Sequence, residues 1–125
     1  MTQASSQNRD TQNGIDQCLK CYEVCTRTLA AGLEINEDQD FITALQLCAQ
    51  TCQLVAQALL LDSPFAGKTS LLCAEICEEV ALICEEFEEE EMRDCGAVCA
   101  ECAKVCRQIH EGEKKKSQQL DHLLN

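Results

Sequence analysis

The chain has 125 residues, twelve of them cysteine, with one proline, five glycines, no tryptophan and a formal net charge of −12. Cysteine at this density is common in small secreted scaffolds stapled by disulfides, but a chain of this length is one domain that can bury an ordinary core without staples. The acidic balance argues against nucleic acid or an anionic membrane as partner and favours a cation.

The opening residues MTQASSQNRDTQNG have no positive-then-apolar organisation, so they are not a secretory signal, and nowhere does the sequence approach the roughly 18 apolar residues of a membrane span. The expectation is a cytoplasmic protein whose thiols stay reduced. Residues 1–13 are polar and expected as a flexible N-terminal segment, 14–111 as the folded bundle and 112–125 as a polar C-terminal tail. Helix one is predicted over about Ile15 to Ala31, with Gly32 as its C-cap. The loop Glu37-Asp38-Gln39-Asp40 offers N-cap carboxylates for helix two, about Asp40 to Leu61. Ser63 and Pro64 mark the start of helix three, as cap and first helical residue.

Helix three reads through Cys84 into a run of glutamates, Glu85 to Glu91 broken only by Phe87, with no breaker residue. A single helix from Pro64 to His110 would be roughly 70 Å long, too long for so small a domain. Clustered carboxylates disfavour a helix C-terminus and suit an N-terminus, so the turn is placed near residues 87–91. The fold class that results is all-α, an antiparallel up-down four-helix bundle.

The cysteine spacing says what lies inside it. Five pairs are Cys-x-x-x-Cys: Cys21/Cys25, Cys48/Cys52, Cys73/Cys77, Cys95/Cys99 and Cys102/Cys106. Cys18/Cys21 and Cys99/Cys102 lie three apart, and Cys77/Cys84 seven. Steps of three and four keep side chains on one helical stripe. Apolar residues share the phase: Phe41, Leu45, Cys48, Cys52, Val55 and Leu59 form one seam, and Met92, Cys95, Cys99, Cys102, Cys106 and Ile109 another. All twelve cysteines therefore fall on core positions, giving a cysteine-lined core.

Buried cysteine can be a small hydrophobe, but twelve of twelve on the seams is an odd way to fill a core. Helical i,i+4 pairs stand too far apart at Cβ for a disulfide, and suit a metal bridging two sulfurs. Soft thiolates select Cu(I), zinc and iron–sulfur clusters. Three zinc ions on twelve thiolates would leave uncompensated negative charge in the core, whereas one Cu(I) per thiolate is neutral. A zinc or cadmium thiolate buffer stays as the alternative. An iron–sulfur or electron-transfer protein is a further one, because Cys18-x-x-Cys21-x-x-x-Cys25 is similar to ferredoxin spacing, although on a helix. No cysteine is singular and His110 and His122 lie in or near the tail, so nothing points to an enzyme.

These residues resemble the bacterial copper storage proteins, a cysteine-rich four-helix-bundle family. The resemblance covers about Cys18 to Arg107 and rests on three stretches: Cys48-Ala49-Gln50-Thr51-Cys52 through Ser63-Pro64-Phe65, Leu72-Cys73-Ala74-Glu75-Ile76-Cys77-Glu78, and Cys95-x3-Cys99-x2-Cys102-x3-Cys106-Arg107. It implies a cytosolic bundle that fills with many Cu(I) ions held by core thiolates, commonly as a homo-tetramer. Here those ligands are Cys18, Cys21, Cys25, Cys48, Cys52, Cys73, Cys77, Cys84, Cys95, Cys99, Cys102 and Cys106. A copper chaperone is a candidate further partner. Phe41, Val80 and Met92 stand where some members carry cysteine, which lowers the expected capacity. Members tend to place histidines at the turn between helices three and four, where copper enters; this chain has the glutamate run there. Met92, a thioether one step from Cys95, is the candidate ligand at that mouth or else a core plug.

Overall fold

In a computed structural model of the chain, residues 5–34 and 38–124 are described, as four helices: α1 (Ser5–Glu34), α2 (Gln39–Leu60), α3 (Ala66–Cys84) and α4 (Glu90–Leu124). No strand occurs among the described residues. Each helix packs on its neighbours around a square, α1 on α2 and α4, α3 on α2 and α4, while α2 and α4 meet across the diagonal only through core sulfurs. Short connections make consecutive helices antiparallel, giving the up-down bundle that the seam phase predicts.

The helix starts follow local chemistry. Asp38 caps α2, its Oδ1 accepting from the Asp40 N–H at 2.9 Å. Glu37, the other carboxylate expected there, lies outside the described residues. At the far end of α2 the Ser63 N–H reaches the Ala58 carbonyl at 2.9 Å and the Asp62 N–H the Leu59 carbonyl at 3.1 Å. With Asp62 at φ 51° this is a Schellman stop, in which aspartate fills the left-handed position glycine usually takes. Ser63 Oγ then accepts from the Phe65 N–H at 3.1 Å, the expected cap contact. Regular helix begins only at Ala66, because the Ala66 N–H bonds three residues back to Ser63 and tightens the first turn.

Four boundaries depart from expectation. Gly32 does not stop α1, which continues to Glu34, and no described glycine has a positive φ. The expected flexible start is helical from Ser5, and the expected tail after Gly112 is helical through Leu124. The two extensions meet in part: Asp10, Thr11 and Asn13 of α1 line one cleft with Gly112, Glu113 and Lys116 of α4. The turn expected at 87–91 falls at 85–89, because Glu90 and Glu91 occupy the first turn of α4 and Phe87 folds inward.

Both ends of the core are closed. At the end carrying the α2–α3 connection, Ile15 and Leu59 pack over the sulfurs, with Ile109 beside Leu59 against Gly14. Gly14 allows this approach, since a Cβ there would stand 2.6 Å from Ile109 Cδ1. At the other end sit Phe41, Met92 and the partly buried Phe87. Outside, Arg107 spans to Glu78 with two short bonds of 2.6 and 2.7 Å, tying α4 to α3 and holding the Glu78 carboxyl below its ordinary range.

A candidate metal centre in the bundle core

All twelve sulfurs point inward: every cysteine is at most 1 % exposed, and every one is a free thiol. The seam phase achieves this because each Cys-x-x-x-Cys step returns to the same face of its helix. Leu45, Val55 and Val80, equally buried, occupy the remaining seam positions.

Within helices only Cys21/Cys25 and Cys73/Cys77 of the five i,i+4 pairs bring their sulfurs within 4.0 Å, at 3.9 and 3.8 Å. The other close approaches cross between helices. Cys25 lies 3.5 Å from Cys99 and 3.7 Å from Cys48, Cys48 lies 3.5 Å from Cys77, and Cys52 lies 3.7 Å from Cys73. Cys21–Cys99 at 3.8 Å, Cys52–Cys102 at 3.9 Å, Cys18–Cys102 at 4.0 Å and Cys18–Cys106 at 3.8 Å complete an unbroken network of ten thiols. These distances are van der Waals contacts, far from the roughly 2.05 Å of a disulfide. The expectation that metal bridges form mainly along single helices is thus replaced by one in which facing helices share each site. Spacing along a chain sets the face of a helix and not its register against another.

Three groups have all their sulfurs within 4.8 Å of one another: Cys21, Cys52, Cys77 and Cys102; Cys21, Cys25, Cys48 and Cys99; and Cys18, Cys102 and Cys106. With metal–sulfur bonds of about 2.3 Å, three thiolates around one ion stand about 4 Å apart and four stand slightly closer. The observed separations accept either arrangement, and a two-coordinate ion needs a small spreading of its pair. Cys73, Cys84 and Cys95 belong to none of these groups. Cys84 and Cys95 lie on the phenylalanine side of the network, where a Cβ on Gly96 would stand 2.8 Å from Cys84 Cβ. Met92 is buried at that same end, one seam step before Cys95.

Acidity differs sharply from thiol to thiol. Burial pushes every shifted thiol upward, and hydrogen bonding decides the outcome. Bonds to Cys102, Cys106 and Cys73 raise Cys18; bonds to Cys102, Cys21, Cys48 and Cys73 raise Cys52; bonds to Cys21, Cys25, Cys48 and Cys77 raise Cys99. Cys48 is held down by donors from Cys21, Cys25, Cys52 and Cys77, and Cys102 by donors from Cys106, Cys18, Cys21 and Cys52. Cys95 is lowered by Cys25, Cys84, Cys99 and the Thr28 hydroxyl. Cys21, raised by Cys102 but lowered by Cys25 and Cys52, comes to about 7. Each group therefore contains at least one thiol, Cys21, Cys48 or Cys102, that its neighbours hold below the ordinary thiol range.

Two polar seam residues escape a reading that follows only cysteines and apolar residues. Thr28, three residues after Cys25, is buried with its hydroxyl bonded to the Val24 carbonyl at 2.9 Å. Ser70, three residues before Cys73, is fully buried. The signal for both was the same three-residue step. His110 takes no part in the core: its Nδ1 meets the Gly67 carbonyl at 3.0 Å, joining α4 to α3.

Comparison with known proteins agrees with this core. The copper storage protein family model matches residues 7–111. The chain is 32% identical over 73 residues to the uncharacterised cysteine-rich protein YhjQ of Bacillus subtilis, covering 56% of this chain and 68% of that protein. Among solved structures it is similar to Cu(I)-bound copper storage protein BsCsp3, with TM-score 0.75 and 28% identity over 81% of this chain and 98% of that one. A protein from Nitrosospira multiformis gives TM-score 0.78 and 31% identity over 83% and 97%. A core of closely spaced free thiols, a four-helix frame to hold them, and a family match across most of the length lead to one conclusion: the chain belongs to the copper storage protein family.

Proposed function

We propose that this protein stores or buffers Cu(I) in the cytoplasm, with its twelve cysteines as ligands and a capacity of about one ion per thiol. The observation that carries this reading is the sharing of sulfurs. Cys21 belongs to both four-thiol groups and Cys102 to two of the three groups, so the sites cannot fill as separate, closed tetrahedra. Bridging thiolates serving two monovalent ions each resolve that sharing, and they keep the core neutral as it fills. The function is binding and not catalysis, and no single thiol is indispensable. Met92, at the phenylalanine-closed end, serves as a soft ligand where copper enters, and a copper chaperone is the delivering partner.

The same protein assembles with copies of itself, as a tetramer. Leu47, Leu54 and Leu61 step seven residues apart along α2 and Phe65 and Leu72 along the segment that packs on it; all five are exposed, which is apolar surface of the kind a partner subunit covers.

Anaerobic titration of the reduced protein with Cu(I) and with Zn(II), each against a competing chelator, tests the function. Saturation at roughly one copper per thiol, with zinc displaced by copper, is expected. Tight binding that stops at about three zinc ions, with weak copper uptake, would establish the zinc and cadmium buffer instead.

A further inference from the structure

Ser70 Oγ is the one buried side-chain nitrogen or oxygen atom among the described residues without a hydrogen-bond partner, in a residue that is 0 % exposed. A helical hydroxyl has an easy remedy for burial, which is to donate to the carbonyl four residues back. Thr26, Thr28, Thr51 and Thr69 all do so. Ser70 does not, although it too sits in a helix.

Its position says what could serve it. Ser70 is in phase with Cys73, Cys77 and Cys84 on the inward stripe of α3. Helices α3 and α4 run antiparallel, and His110 meets the Gly67 carbonyl at 3.0 Å. One turn inward from that contact, α3 presents Ser70 and α4 presents Cys106, both wholly buried. Cys106 and its neighbour Cys18, 3.8 Å away, belong to the three-thiol group with Cys102 that ends the sulfur network on this side. Beyond it come Ile15, Leu59 and Ile109.

We propose that Ser70 is the hydrogen-bond donor of this last site, its hydroxyl turning to the thiolate of Cys106 when the Cys18–Cys102–Cys106 group holds copper. The inference rests on the copper reading above. A protonated thiol is a weak acceptor, so Cys106 offers the hydroxyl little in the empty protein. A thiolate is a strong one. Before further ions come to share these sulfurs, three thiolates around a first monovalent ion carry a surplus of two negative charges; the three thiol protons leave to solvent, the Ser70 proton stays on Oγ, and its bond offsets part of that surplus. Ser70 acts through its neighbour, as a positioning residue and not a ligand.

Ser70→Ala separates this from a role in packing. In the empty, reduced variant the denaturation midpoint should rise or stay level, because an unmet buried hydroxyl has been removed. Chelator competition should then show about one Cu(I) per chain bound on the order of tenfold more weakly, with the remaining steps unchanged. A loss of stability in the empty variant alongside the weaker copper would mean a structural role and overturn the proposal, as would a titration that coincides with wild type at every step. A wild-type protein that takes up no Cu(I) would instead defeat the copper reading itself.

Discussion

The ring of Phe87, from the loop between α3 and α4, rests on the ring of Phe41 at the start of α2, centroids 5.1 Å apart and planes inclined by 32°. The contact joins the α3–α4 loop to α2 and lies across the end of the bundle where Met92 is buried. Phe87→Ala should lower stability by about 1–3 kcal/mol, less than the 3–5 kcal/mol of a fully buried phenylalanine, because Phe87 is only partly buried. If copper enters at this end, the variant also takes it up faster from a chelator at unchanged capacity. A stopped-flow rate equal to wild type would place the route elsewhere.

Removing one thiol should cost one increment of capacity. Cys99 is a well-connected choice, with Cys25, Cys21 and Cys48 at 3.5, 3.8 and 4.0 Å. Cys99→Ala should keep its helical circular dichroism, lose about 1 kcal/mol of stability, and bind one or two fewer copper ions. Loss of all binding would show that the sites do not fill independently.

Two glycines in α4 should respond in opposite directions. An alanine in place of glycine within a helix is ordinarily worth up to about 1 kcal/mol. At Gly112 nothing lies within 4 Å of the new Cβ, so Gly112→Ala should raise the urea midpoint. At Gly96 the new atom meets Cys84 Cβ at 2.8 Å, an atom fixed close to its own backbone. Overpacking of this kind costs about 1–3 kcal/mol, which outweighs the propensity gain, so Gly96→Ala should lower the midpoint.

Stability of the empty protein should fall in alkali. Seven thiols, Cys18, Cys25, Cys52, Cys73, Cys77, Cys84 and Cys99, are raised above the ordinary thiol range, against four that are lowered. A raised thiol keeps its proton in the folded state after the unfolded chain has lost it. Its contribution is complete below the unfolded value, about pH 8.5–9, and is lost as pH climbs towards the folded one. Anaerobic urea melts at pH 7.5 and 9.5 should show the lower midpoint at the higher pH. Copper-loaded protein, its thiols already deprotonated, should show a much smaller change across the same interval.

The inward placement of the cysteines was legible because helical phase is a local property. Cys48, Cys52 and Val55 declare one face of α2 whatever lies opposite. The pairing of Cys25 with Cys99 was not, since it depends on the vertical offset between α1 and α4, which the loops and the packing of Gly14 against Ile109 establish. The helix ends extend past the sequence expectation because Gly32 and Gly112 carry no turn by themselves: neither adopts a positive φ, and the helix runs on through each. The two seam hydroxyls went unread because Thr28 and Ser70 are polar by type, and only their step from Cys25 and Cys73 shows which way they face.

Leu45, Val55 and Val80 share their stripes with cysteine and are buried just as completely. Cysteine is close to valine in size and nearly as apolar when protonated, so exchange between them leaves the frame standing. Storage volume in such a bundle is therefore a quantity that lineages can adjust by one codon at a time, upward or downward, while the scaffold that carries it stays the same.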